Sequence, residues 1–133
     1  MAYEAYNDTD VIRMKAGAAV TKHRALKLDS TVDQVVHSAA IADLTIGVSL
    51  ETVASGEWVS VQYRGIAKLE AAAAITLGQE VMVQAAAADG SIDAAAGATA
   101  RSIGVALEAA SNGDSDVIAV LLSLPALKGP ANS

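Results

Sequence analysis

The chain has no cysteine and no phenylalanine, and its 133 residues include only one tryptophan, three tyrosines and two prolines. The lack of cysteine excludes disulfides, thiolate metal sites and cysteine nucleophiles together. Aromatic residues make up 3% of a chain that is 53% hydrophobic, so the apolar content is mostly Ala, Val, Leu and Ile. Alanine buries little area, and a core of this kind gains stability from a partner that covers further surface. Basic residues are also scarce: nine against fifteen acids, for a net charge of −6 and a pI near 4.7. That balance argues against nucleic acid as a ligand, because phosphate binding needs clustered Lys and Arg. Lys22, His23, Arg24 and Lys27 lie close together; charge of this kind guards an exposed strand edge or meets an acidic partner surface. No apolar run approaches the roughly 18 residues of a membrane span. The N-terminus MAYEAYNDTD is acidic where an export signal needs a basic start and an apolar run. The expectation is a soluble protein made in a cytoplasm.

A chain of this length reads as one domain. Its main feature is a repeated phrase. Ile46, Gly47, Val48, Leu50, Glu51 and Gly56 recur 57 residues later as Ile103, Gly104, Val105, Leu107, Glu108 and Gly113. Upstream, Ala18, Ala19, Val20 and Thr21 match Ala73, Ala74, Ile75 and Thr76 at an offset of 55. Two residues are therefore gained between the blocks in the second copy, and the turn around Asp89-Gly90 is the expected place. The reading is an internal duplication, with halves of about 18–63 and 73–120 inside a single β-domain over 13–124. Residues 1–12 form an N-terminal arm and 125–133 a C-terminal tail.

The hydrophobic period gives the element type. Val59, Val61 and Tyr63 alternate with Ser60, Gln62 and Arg64, and Leu26 and Leu28 alternate with Lys27 and Asp29; both are strand patterns. The run Val117–Leu122 is more continuously apolar, as in a strand buried on both faces. Ser55-Gly56 and Asn112-Gly113 mark turns, so each half holds a hairpin whose first strand carries Ile-Gly-Val. Glycine inside a strand marks a bulge, a barrel corner or close approach of another backbone, and sharp curvature is the preferred reading. The Ala runs 71–74 and 85–88 favour helix by composition but are too short to hold one. The predicted fold class is all-β: a small barrel or tight β-sandwich built from two duplicated halves, with an extended N-terminal arm.

No reactive constellation is present: no Gly-x-Ser-x-Gly elbow and no phosphate-cradling loop. His23 and His37 have no ligand-spaced partners and read as surface or strand-edge residues. Asn112-Gly113-Asp114-Ser115-Asp116 lacks the downstream Glu of a calcium loop and reads as a polar turn. Glu51 and Glu108 are explained by repeat equivalence, not as a catalytic dyad. No catalytic, cofactor or metal residue is assigned. Trp58, whose counterpart at the 57-residue offset is Ser115, reads as local packing or as an anchor in a protein interface. Tyr3 and Tyr6 in the arm allow the same two readings.

The segments MKAGAAVTKHRALKL, IGVSLETVASGEWVSVQYRG, AAAAITLGQEVMVQAAAADGSIDAAA and IGVALEAASNGD, in that order, resemble the capsid cement, or head decoration, proteins of tailed bacteriophages. The resemblance spans roughly residues 13–122; the arm matches no motif of that family. It implies a small all-β structural protein on the outside of a phage head, fastening neighbouring major capsid proteins. It also implies a homotrimer and a virion location after synthesis in the host cytoplasm; no nucleic-acid, membrane or small-molecule partner is expected from the charge, the short apolar runs and the missing reactive constellation. A structural subunit of a non-viral assembly shares these sequence features. A carbohydrate-binding module would need more exposed aromatics than four such residues supply.

Overall fold

In the computed structural model the described residues are 10–41, 43–84, 89–95, 101–111 and 116–124. They form ten strands and no α-helix, and no helix among them is long and apolar enough to cross a membrane. The first five strands are β1 (Val11–Ala16), β2 (Ala25–Leu28), β3 (Gln34–His37), β4 (Thr45–Ser49) and β5 (Trp58–Gln62). The second five are β6 (Ile66–Ala71), β7 (Glu80–Val83), β8 (Ile92–Ala94), β9 (Gly104–Ala106) and β10 (Asp116–Leu122). Each set closes into its own five-stranded barrel, in the orders β1-β3-β2-β4-β5 and β6-β8-β7-β9-β10. The expected small barrel is present, and it is present twice: the halves do not share one sheet.

The sequence repeat is a repeat of pairing. Both barrels put their first and third strands parallel, Ala16 opposite Val35 and Ala71 opposite Ile92. Leu26 pairs with Gly47 as Val81 pairs with Gly104. Val20 bridges Val53 as Ile75 bridges Ala110. The offset passes from 55 to 57 between β2/β7 and β3/β8, since Val35 faces Leu28 and Ile92 faces Val83. The two extra residues therefore lie in the turn that carries Asp89-Gly90. Even the left-handed backbone positions correspond. His23 (φ 66°) and Asp33 (φ 69°) in the first barrel match Gly78 (φ 84°) and Gly90 (φ 79°) in the second.

Alternation places the core. Leu26, Val35, Val59 and Val61 are fully buried inside the first barrel with Ala16 and Val20. Leu69, Val81, Val83, Ile92, Ile103, Ile118 and Val120 fill the second. Val117 and Leu121 on β10 remain half exposed, so this strand is not buried on both faces; its outward positions happen to be apolar, which a continuous apolar run cannot reveal. Ala71 ends a strand and no helix forms from the first Ala run. The second run, 85–88, lies outside the described residues.

The Ile-Gly-Val glycines serve close approach more than curvature. A Cβ on Gly47 would lie 2.3 Å from Val61 Cγ1 and 2.8 Å from the Gln62 carbonyl oxygen; one on Gly104 would lie 2.3 Å from the Leu121 carbonyl oxygen. A register shift lies opposite Gly47, between Leu26 and Lys27. Only hydrogen fits where the fourth strand of each barrel meets the fifth.

The barrels are joined by a pinned turn. Gln62 is buried, and its Nε2 donates to the carbonyls of Arg64 (3.0 Å) and Ile66 (2.8 Å). Arg64 forms an ion pair with Asp10 at 3.0 Å, and the Leu122 N–H donates to the Gly65 carbonyl at 2.9 Å. Val11 and Ile12 belong to β1, paired with Gln62 and Val61, so the barrel begins inside the segment read as the arm.

Candidate interface surface

The basic cluster of the sequence has a structural task. Arg24 is largely buried between the barrels, with Nη2 at 3.2 Å from Glu70 Oε1 and Nη1 at 3.1 Å from Asp89 Oδ2. Nη1 also donates to the Asp89 carbonyl at 3.0 Å. Alongside, the Ala25 N–H donates to the Gly90 carbonyl (2.8 Å) and the Glu70 N–H to the His23 carbonyl (2.9 Å). Gly90 is a tight fit here, because an added Cβ would lie 2.6 Å from the Ala25 carbonyl oxygen. Ala25 and Val48, which face out of the first barrel, complete the core cluster of the second. Lys27 pairs with Asp43 at 3.1 Å. The edge-guarding reading of Arg24 and Lys27 is thus corrected: a closed barrel has no edge to guard, and both cations serve contacts within the chain.

The carboxylates of this region are held ionised. Burial alone would raise Asp89, but the Ser91 hydroxyl and N–H and the Arg24 guanidinium outweigh it and hold the carboxyl below its ordinary value. Asp43 follows the same pattern, with burial opposed by the Ala39 and Ala40 N–H groups and by Lys27. Both histidines are pushed down. For His23 the cause is burial and then Lys22; for His37 it is burial and then Arg24. His37 Nε2 accepts the Thr21 N–H at 3.0 Å, which only the neutral ring can do. Among the described residues no group of acids and histidines is arranged to hold a metal.

Glu51 and Glu108 are equivalent in detail. Each accepts a backbone N–H of its barrel's last strand, Ser60 at 3.2 Å and Ala119 at 2.7 Å. Each also lies 3.7 Å from a cation of the first strand, Arg13 and Lys68. They brace two separate barrels and share no site.

Trp58 opens β5, is 49% exposed, and stands under the Lys15 ammonium, 5.8 Å from the ring centroid. It pairs with Lys15, and the corresponding Glu70 pairs with Val117. Its counterpart is therefore Val117, 59 residues on, and not Ser115: two further residues enter at the turn before β10. Val117 is also exposed, so both barrels present a large apolar side chain at this register. Tyr3 and Tyr6 lie outside the described residues, as do Asn112–Ser115.

Sequence reasoning missed a second apolar surface. In each barrel one end gathers the start of the first strand, the end of the second, the start of the fourth and the end of the fifth. In the first barrel Ile12, Leu28 and Leu44 stand at this mouth and are exposed. Met14 and Ile46 line it from inside. The signal was available in the alternation, because Leu28 shares the inward face of Leu26 yet is followed at once by a polar turn.

Comparison with curated proteins finds no match. Among solved structures, the chain is similar to the head fiber gp8.5 N base of bacteriophage phi29, with a TM-score of 0.68 at 19% identity. The match covers 89% of this chain and 97% of that one; at such low identity the likeness is one of fold. The model of the phage cement protein family matches residues 5–122, both barrels from before β1 to the end of β10. The chain belongs to the phage cement protein family.

Proposed function

We propose that this protein binds the outer surface of an assembled phage capsid and stabilises contacts between neighbouring major capsid proteins, as a homotrimer. The observation that carries the reading is the family match across both barrels. The chemistry of the chain agrees with it. Two rigid bodies are locked by the buried Arg24 network, and the polar groups that sequence could nominate for catalysis are engaged in bracing strands. Among the described residues, Trp58, Val117 and the apolar mouth of the first barrel offer contact surface.

Trp58 is the anchor on the described surface, since a half-exposed indole is the side chain that gains most from being covered. Tyr3 and Tyr6 are proposed as further anchors carried by the arm. Many copies, each making modest contacts, hold a shell against internal pressure because contacts linked through one lattice gain effective concentration.

The test uses heads assembled without the protein. Added in excess, it should bind saturably and raise the temperature at which packaged heads release DNA. Unchanged release temperature at full occupancy would remove the stabilising role. Sedimentation equilibrium of the free protein should give three times the 13.4 kDa chain mass; a monomer mass at all concentrations contradicts the trimer.

A further inference from the structure

The two barrels differ at one equivalent place, and the difference defines a docking surface. At the mouth of the second barrel, Ala67 and Val83 are 2% exposed and Ile103 is fully buried. The cover is the chain itself. β10 continues past the barrel, Leu122 and Leu124 pack on that cluster, and the Ser123 N–H donates to the Ile103 carbonyl at 2.9 Å. The corresponding residues of the first barrel are Ile12, Leu28 and Ile46. Ile12 is 41% and Leu28 56% exposed, with Leu44 beside them at 42% and Val32 on the adjoining turn at 84%. After Gln62 the chain turns through Tyr63-Arg64-Gly65 to β6, with Arg64 held by Gln62 and Asp10; at the offset of 59, Tyr63 answers to Leu122, and Gly65, which has no side chain, answers to Leu124.

We infer that the open mouth of the first barrel receives an extended apolar segment of the major capsid protein, with side chains two residues apart seated as Leu122 and Leu124 are seated in the second barrel. This inference rests on the capsid-binding reading and names the surface that performs it. The occupant's chemistry is taken from the molecule: an extended strand offering leucine-like side chains at alternate positions covers the equivalent mouth of the second barrel. The residues involved are Ile12, Leu28, Val32, Leu44 and Ile46, at the end of the barrel where β1 begins.

The experiment titrates heads lacking the protein with wild type, with a Leu28→Gln/Leu44→Gln double variant, and with Leu77→Gln as an exposed apolar control on the second barrel. Covering each half-exposed leucine is worth roughly fivefold in affinity, and burying an amide instead adds a further loss. The double variant should therefore bind on the order of 100-fold more weakly, while Leu77→Gln binds as wild type and all three melt together. Wild-type affinity in a folded double variant overturns the docking surface and leaves the capsid reading standing; failure of wild type to bind any head overturns both. A photo-crosslinker placed at position 28 should join the capsid protein. An adduct only with another copy of this chain, or only with its own arm, assigns the mouth to that occupant and overturns the inference.

Discussion

Replacing Gly104 with alanine tests the claim that each barrel closes by backbone contact at the Ile-Gly-Val glycine. The new methyl would sit 2.3 Å from the Leu121 carbonyl oxygen, 2.8 Å from Val120 Cγ1 and 3.1 Å from the Leu121 carbonyl carbon. Two of these three are backbone atoms, so no rotamer change relieves the clash. β10 must move away by about 1 Å to reach ordinary contact. That movement strains the ladder in which Leu122 pairs with Gly104 and Leu121 with Val105. Overpacking costs about 1–3 kcal/mol, and two weakened ladder hydrogen bonds add about 1 kcal/mol each. The expected loss is about 3–5 kcal/mol, a large part of the 5–15 kcal/mol typical of a folded domain. For a chain of this size that lowers the melting temperature by roughly 10–20 °C. Circular dichroism melts, with a urea titration to check that the slope is unchanged, provide the measurement. A Gly104→Ala protein that melts within 2 °C of wild type would refute the packing argument.

Other substitutions probe the seam and the repeat. Arg24→Ala leaves Glu70 and Asp89 partly buried without their cation, and should cost about 2–3 kcal/mol, read in the same melts; an unchanged melting temperature would show that the seam is held by its backbone bonds alone. Asp33→Gly should stabilise by about 0.5–1 kcal/mol, because this exposed residue has φ 69° where the second barrel has Gly90; destabilisation would contradict the left-handed assignment. The histidines set an acid dependence. Their folded-state values lie below 6.5, so the unfolded chain binds more protons just below that pH and stability falls as pH drops from 6.5 through the folded values, then levels until the carboxylates titrate. His37→Gln should flatten part of that slope; a slope identical to wild type would exclude His37 as its source. Trp58→Ala should weaken attachment to heads at least tenfold with little change in melting, and full attachment would remove Trp58 from the interface.

The legible part of the fold was local. Alternation at Leu26, Leu28, Val59 and Val61 marked strands, and the repeated Ile-Gly-Val phrase located the fourth strand of each barrel. The shift from 55 to 57 pointed to the turn at Asp89-Gly90, where the second barrel does carry its extra residues. What stayed hidden depends on partners distant in sequence. The parallel pairing of β1 with β3 and the separate closure of each half leave no periodic trace. β8 and β9 are too short to show a period. Arg24 read as a surface cation because its acids, Glu70 and Asp89, lie in the other half. The candidate surface was half legible: composition marks Trp58 as the lone indole, whereas the open mouth emerges only when equivalent positions of two folded barrels are set side by side.

Attachment of this pair of barrels to an assembled phage shell is the property on which its proposed role depends most. Purified protein should be mixed with expanded and with unexpanded heads that lack it, and the copies pelleting per head counted. Saturable binding to expanded heads at a stoichiometry fixed by the lattice, with none on unexpanded heads, is the predicted result. Pelleting no greater than that of the protein alone, on either form, would contradict it.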